Sequence, residues 1–247
     1  MMKLDKISRD KTSSMPHYML IAKNIRTYIF ENNVDAGEAL PSERELCLMT
    51  GASRVTIRKA LNILSEDKIV QRKHGSGTFV LPPISHLGSG LRGFTSNMHT
   101  HGHNPQAIWI MKAYGTPTTE EAEILNISQT DKVVRLGRVR LSDGQPLAIE
   151  HAVIPASLLP DISEITQSLY EALKTKGNNP VKGTQKVRAS LANPTEAGLL
   201  AIDVNSEILR IERRSTLQDG TPVELTRSAY RGDCYDIVMN LDINELD

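Results

Sequence analysis

The stretch Pro41–Val80, PSERELCLMTGASRVTIRKALNILSEDKIVQRKHGSGTFV, decides the fold of the first third of this 247-residue chain. Ser42 is followed three residues later by Glu45, the spacing of a capping box, so a helix begins there. Gly51 stands where a left-handed residue stops that helix. Ser53 caps the next one, with Val55, Ala60, Leu61 and Leu64 as its inward stripe. Two short strands, 69–72 and 78–81, enclose a tip of His74, Gly75, Ser76 and Gly77. Two helices joined by a glycine turn, then a ribbon with a basic tip, form a helix-turn-helix with a wing. The second helix of such a unit fits the major groove of double-stranded DNA. Upstream of it, Ile21, Ile25 and Ile29 recur every fourth residue after Pro16 and mark one more helix, ended by Asn32 and Asn33.

Composition narrows the class. Apolar residues are 39% and charged residues 23%, ordinary globular values, and aromatics are only 4%, too few for stacking platforms on single strands. The net charge is zero but unevenly placed: residues 1–81 carry 13 Lys+Arg against 9 Asp+Glu, and residues 82–247 carry 16 against 20. A basic N-terminal third suits contact with phosphates. Cys47 and Cys234 form no CxxC, so neither a disulfide framework nor a zinc site is expected. No apolar run reaches the length of a membrane span and the polar start is no signal peptide, so a cytoplasmic protein without membrane contact is expected.

The expected organisation is a DNA-binding unit over residues 15–81, a linker over 82–93 (PPISHLGSGLRG) and a second domain over 94–243. That second domain contains a repeat. TPTTEEAEILNI…VVRLGRVRLSDGQPLAIEHAVIP is echoed by NPTEAGLLAIDV…ILRIERRSTLQDGTPVELTRSAYR at an offset of 75–76 residues, with Arg138 matching Arg213 and Pro146 matching Pro222. Each copy reads as a short helix, a strand, an Asp-Gly turn and a returning strand. With further strands near 105–114 and 183–192, this predicts one antiparallel sheet with helices on one face, an α+β domain with a cleft between its halves.

Candidate DNA-reading residues follow from the helix-turn-helix geometry. The start of the second helix presents Ser53, Arg54, Thr56 and Arg58, with Arg54 and Arg58 one turn apart as guanine readers or phosphate clamps. Arg44 is placed for a backbone contact. Gly75 and Gly77 allow the tip to approach the minor groove, where Lys73 and His74 supply donors. GSGT lacks the ending of a phosphate loop and precedes a strand, which rules out nucleotide binding. His99, His101 and His103 alternate in a glycine-containing loop without acidic or thiol partners and read as solvated, so no metal or cofactor is expected. Trp109 reads as core or interface.

These motifs carry a family resemblance over about residues 15–243. PSERELC, SRVTIRKALNIL and GSGTFV resemble the winged helix of the GntR family of bacterial repressors. GFT at 93–95, RVRL, IEHAVIP and PVELTRSAYRGDCY resemble the UTRA effector domain of its HutC-type subfamily, whose fold is similar to chorismate lyase. The resemblance implies a homodimer on a palindromic operator, retuned when a small molecule binds the second domain. It implies DNA contacts at Arg44, Ser53, Arg54, Thr56, Arg58, His74 and Gly75.

Arg138 and Arg140 alternate onto one face of a strand, a costly pairing unless an anion lies between them. Glu150 on the return strand faces Arg138 only if the turn contributes an extra residue. Glu224, Thr226, Ser228 and Tyr230 share a face in the second copy. The resemblance further implies a phosphosugar, its phosphate held by the Phe94-Thr95-Ser96 loop, Arg138, Arg140 and Ser168, and its sugar by Glu150, Glu224 and Tyr230. The expected effector is therefore a small anion such as an amino-sugar phosphate or other sugar phosphate; a small carboxylate fits the same forks. The rival class is a chorismate-lyase-like enzyme, for which the chain offers neither a nucleophile–base pair nor a metal set.

Overall fold

A computed structural model describes residues 15–238 apart from 33, 74, 82–83, 88–92 and 101, and the side chains of 30, 31 and 84–87 are likewise left undescribed. The chain divides into two compact units at Ser85/His86.

In the first unit α1 (His17–Glu31), α2 (Glu43–Thr50) and α3 (Arg54–Glu66) precede an antiparallel ribbon of β1 (Val70–Lys73) and β2 (Gly77–Val80). The capping box of α2 is complete: the Glu45 amide donates to Ser42 Oγ at 3.3 Å, and the Ser42 amide donates to Glu45 Oε2 at 2.9 Å. Gly51 ends α2 at φ 70°, and its N–H donates to the Cys47 carbonyl. Ser53 caps α3, its Oγ accepting from the Thr56 amide at 3.2 Å. The core consists of Ile21, Ile25, Leu46, Ile57, Leu61, Leu64, Val70 and Val80. One assignment in the stripe of α3 is corrected. Val55 is 66% exposed and Ile57 is fully buried. Ile57, Ala60, Leu61 and Leu64 lie at the i, i+3, i+4, i+7 spacing of a single helical face, which Val55 does not share.

The second unit is built on a six-stranded antiparallel sheet. Its strands are β4 (Pro105–Gly115), β5 (Val133–Ser142), β6 (Gln145–Pro155), β7 (Lys182–Leu191), β8 (Glu207–Thr216) and β9 (Pro222–Arg231), in the order β4-β5-β6-β9-β8-β7. Within the segment read as a linker, β3 (Ile84–Leu87) pairs with β10 (Tyr235–Val238).

The sheet order is a palindrome of the two repeats. β6 and β9 meet at the centre, and His151 pairs with Arg227, its own equivalent 76 residues on, so a pseudo-two-fold axis passes through that pair. The first hairpin turns tightly at Asp143 and Gly144, with φ 51° and 84°, as a two-residue turn requires. The second turns through one more residue, Gln218-Asp219-Gly220, bridged by the Leu217 amide donating to the Thr221 carbonyl at 2.9 Å. That residue accounts for the change of offset from 75 to 76.

Helices cover both faces of this sheet, not one. α6 (Leu169–Thr175) packs on Val134, Leu136, Ala152 and Ile154. On the opposite face, α7 (Pro194–Leu200) packs on Ile149, Ile208 and Ala229, and α5 (Thr119–Leu125) on Val133, Val153 and Leu225. The near-continuous burial of β5 and β6 is the cause, because strands apolar on alternate and intervening residues need cover on both sides.

Candidate functional site

In the first unit, the residues proposed to read DNA lie around the start of α3. Arg44, Ser53, Arg54 and Arg58 are exposed and Thr56 is half-buried. Ser53 and Thr56 serve the helix itself, their hydroxyls 2.8 Å apart as well as joined through the cap. Arg58 Nε lies 3.8 Å from Glu43 Oε1, and Arg72 Nη2 lies 3.4 Å from the same oxygen, so Glu43 holds basic residues of α3 and β1 together. In the wing, Lys73 is exposed with its Nζ 4.9 Å from the centre of the Phe79 ring. Gly75 and Gly77 take φ values of 73° and 122°, which a side chain would strain. His74 lies outside the described residues.

In the second unit, a cleft opens on the sheet face beneath α6 and α4 (Phe94–Thr100). Phe94, Thr95 and Ser96 are the first turn of this helix and not a loop. Phe94, Thr95, Arg138, Arg140, Glu150, Ser168 and Glu224 line the cleft, together with Gly93, Leu169, Tyr170, Arg213 and Thr226. Ser96 is exposed and outside the lining; Tyr230 is buried, also outside the lining, and stacked on Tyr235 with ring centroids 4.1 Å apart. Ser168 caps α6, its Oγ accepting from the Glu171 amide at 3.3 Å.

Backbone register settles which way Glu150 faces. Arg138 pairs directly with Glu150, and Arg140 with Ala148, because Leu147 bulges out of register in β6. The extra residue sits in the strand and leaves the tight turn intact. The second repeat has the same device at Val223, which puts Glu224 opposite Ser215 and Thr226 opposite Arg213. Four positions on each copy thereby face one cleft.

The cleft is crowded with charge. Arg138 donates from Nε to Glu150 Oε1 at 2.6 Å, its Nη2 forms a second contact with the same oxygen, and its Nη1 donates to the Gln167 carbonyl at 2.9 Å. Arg140 donates from Nη1 to the same carbonyl at 2.9 Å and from Nη2 to Thr95 Oγ1 at 3.1 Å, and its guanidinium lies 4.1 Å from the Phe94 ring centre. Arg140 Nε is buried with no hydrogen-bond partner among the described residues. Arg213 donates to Gln185 Oε1 from Nε and Nη2, at 3.2 and 2.8 Å. Glu224 accepts from the Tyr170 hydroxyl at 2.5 Å, Ser215 Oγ at 3.0 Å and Thr226 Oγ1 at 2.8 Å.

Protonation follows from these contacts. Burial pushes the Glu150 carboxyl up, but Arg138 and Arg140 outweigh it and hold the pKa below the usual carboxylate range. Burial brings Arg140 down to about 10, with Arg138 adding to the effect and Glu150 and Tyr230 opposing it. Burial, then the neighbouring Glu224 carboxylate, raises the Tyr170 hydroxyl, while Arg213 opposes the shift. Three arginines therefore face two carboxylates, an excess of one positive charge in a mostly buried space. Uncompensated burial of a cation costs several kcal/mol, so this arrangement suits an incoming anion.

Sequence reasoning did not place Arg213 and Tyr170 in this cleft. For Arg213 the signal was present, since it is the repeat partner of Arg138. Tyr170 arrives from a helix outside the repeat and left no such trace. Trp109 lies against the core, its indole N–H donating to the Thr166 carbonyl at 3.0 Å and its ring 5.0 Å from the Arg138 guanidinium. His103 is not solvated: its Nδ1 is 2.6 Å from Asp143 Oδ2 and its side chain is only 10% exposed, because the chain returns beside the β5–β6 turn. His99 is exposed, and His101 lies outside the described residues. Among the described residues there is no metal-binding cluster, and no helix is long and apolar enough to cross a membrane.

A winged helix joined to a domain with a charged cleft defines a DNA-binding regulator that answers to a small molecule. Residues 17–80 match the model of bacterial regulatory proteins of the gntR family, and residues 100–236 match the UTRA domain. The chain is 33% identical to the HTH-type transcriptional repressor NagR of Bacillus subtilis (strain 168), over 94% of this chain and 98% of the relative. It is 30% identical to the mannosyl-D-glycerate transport/metabolism system repressor MngR of Escherichia coli (strain K12), over 89% and 93% respectively. Among solved structures, PhnF from Mycobacterium smegmatis aligns with a TM-score of 0.63 at 26% identity, covering 90% of this chain and 99% of that one. The chain belongs to the GntR family, in its UTRA-bearing, HutC-type branch, and is a ligand-responsive transcriptional repressor that binds operator DNA. Its relatives are regulators, and the enzymatic alternative is set aside.

Proposed function

We propose that this protein works in the cytoplasm as a homodimer on a two-fold operator and is retuned by a sugar phosphate, with an amino-sugar phosphate the leading candidate. The observation that carries this reading is the pair of buried guanidinium groups, Arg138 and Arg140, converging on one carbonyl with Arg140 Nε unsatisfied. A phosphoryl group has enough acceptor oxygens to take this nitrogen and the Thr95 and Ser168 hydroxyls together. Glu150, Glu224, Thr226 and Arg213 would meet the hydroxyl-rich remainder, with Tyr230 supporting them from behind. Ser96 and Phe94 would border the phosphate. In the first unit Arg54 and Arg58 would read base edges, with Arg44, Lys73, His74, Gly75 and Gly77 following the backbone and minor groove, and Ser53 and Thr56 setting the helix start.

MngR is the repressor of a mannosyl-D-glycerate transport and metabolism system, a sugar carrying an acid, which favours a sugar-derived anion here. A simple carboxylate satisfies fewer donors but fits the same forks. A thermal-shift screen of hexose phosphates, amino-hexose phosphates, small carboxylates and inorganic phosphate separates these readings, because a ligand that binds only the folded state raises Tm. Carried into a mobility-shift assay on the protein's own promoter region, the active compound alters the retarded complex. If no phosphorylated or carboxylated sugar shifts Tm, the anion reading fails.

A further inference from the structure

We propose that Val55 is a base-reading residue, recognising the C5-methyl group of a pyrimidine on the floor of the major groove, in unmodified DNA that of a thymine. The inference rests on the proposed docking of α3 and adds an apolar reader to its polar ones.

Sequence patterning assigns Val55 to the core, but it is 66% exposed while Ile57, three and four residues from Ala60 and Leu61, is fully buried. Helical geometry gives its direction. At about 100° per residue, the buried stripe of Ile57, Ala60, Leu61 and Leu64 centres about 170° away from Val55, so this side chain points directly outward from the core. Arg54 and Arg58 project about 100° and 60° to one side of it, and Lys59 about 40° to the other. An apolar side chain thus occupies the crest of the helix between cations, in its first turn, on a helix capped by Ser53. In such docking the first turn lies deepest in the groove. The major-groove edges of the four bases present donors and acceptors, a bare C5–H on cytosine and, as the one apolar group that projects into the groove, the C5-methyl of thymine, so a valine on the crest has a matching partner there. A solvated crest would carry a polar residue at no cost. Valine is among the poorer helix formers, and among the described residues Val55 is no part of the core cluster to which the stripe belongs.

The test uses the full-length protein. Duplexes are selected from a random-sequence library, and each thymine of the selected site is replaced in turn by deoxyuridine, which lacks only the methyl. For wild type, at least one thymine per half-site is expected to lose about four-fold in affinity on this replacement, the worth of one buried methyl group. Val55→Ala, on an exposed position, leaves Tm unchanged and binds the thymine and deoxyuridine duplexes equally. Restoring the methyl at the same position as 5-methylcytosine, opposite guanine, recovers discrimination for wild type only if the methyl itself is read; if recovery fails, the effect belongs to another feature of the base pair and the proposal is overturned. It is equally overturned if no thymine is methyl-sensitive, or if Val55→Ala keeps the wild-type sensitivity. Failure to select any sequence would instead refute the docking of α3 itself.

Discussion

Replacing Arg140 by methionine should leave the unliganded protein as stable as before while removing its response to the effector. The Arg140 side chain is 2% exposed, and its pKa falls from the ordinary 12.5 to about 10 through burial, helped by Arg138 and opposed by Glu150 and Tyr230. A drop of that size means that holding the charged form inside costs about 3 kcal/mol. At pH 7 the group is protonated in both the folded and unfolded chains, so the penalty is present in full. It fades only as pH rises from about 10 toward 12.5, where the unfolded state holds the proton that the folded state has released. Methionine removes the penalty but forgoes the bonds to the Gln167 carbonyl and Thr95 and the stacking on Phe94, about 1 kcal/mol each. The carbonyl keeps its bond from Arg138, and Glu150 keeps its main partner. The opposing contributions nearly cancel, so Tm should move by no more than about 3 °C. Loss of a buried guanidinium facing an anion should weaken binding by about 2 kcal/mol or more, roughly thirty-fold. Differential scanning fluorimetry with and without the active sugar phosphate reads both quantities. A fall of about 10 °C in the unliganded Tm would make Arg140 part of the scaffold. An undiminished ligand shift would place the anion elsewhere. Either result refutes the reasoning.

Other substitutions separate the two units. Arg54→Ala should abolish specific retardation of operator DNA at moderate salt and leave the ligand-induced rise in Tm intact. Arg138→Ala should do the reverse and also cost about 3 kcal/mol in urea unfolding, because Glu150 is left buried without its main partner; loss of both activities in either variant contradicts the division of labour. Glu121 is held at about 2 chiefly by Arg135, whose Nη1 and Nη2 donate to its two oxygens at 2.8 and 2.6 Å. A depressed carboxylate contributes stability above its unfolded value of about 4.5 that is lost as pH falls through about 2, so Glu121→Gln should flatten the decline of Tm below pH 4.5. Gly51→Ala should cost about 1 kcal/mol, since its φ of 70° is strained for any side chain, and a Tm unchanged within 1 °C would count against that cap.

Local rules made much of this architecture legible. The capping box at Ser42, the helix stop at Gly51 and the tight turn at Asp143-Gly144 each depend on neighbours within four residues, and each is where the residues suggested. Features set by distant partners were harder to see. Val55 is the local exception: its apolar character suggested core, although helical spacing alone sets it about 170° from the stripe of Ile57, Ala60, Leu61 and Leu64, and it is exposed. The cover on both faces of the sheet depends on which helices return to which side. His103 appeared solvated because its acidic partner, Asp143, is forty residues away. The facing of Glu150 was undecidable from periodicity, since a bulge at Leu147 changes which face the return strand presents without changing the turn.

That bulge explains how a duplicated sheet can carry a single directional site. Both copies spend one residue, Leu147 and Val223, to turn the return strand's alternation so that positions 148 and 150, and 224 and 226, face the cleft. Equivalent positions then differ in charge. Arg138, Arg140 and Glu150 give the first copy one positive charge in excess, whereas Arg213 and Glu224 cancel in the second. Ala148 stands where the second copy has Glu224, and Ser215 where the first has Arg140. A ligand with an anionic end and a neutral, hydroxyl-bearing end therefore has one favourable orientation about the pseudo-two-fold axis, because reversing it would set the anion beside Glu224 and leave Arg140 uncompensated. The duplication supplies a symmetric frame, and three differences about its axis, Arg140 against Ser215, Ala148 against Glu224 and Glu150 against Thr226, give the site a direction.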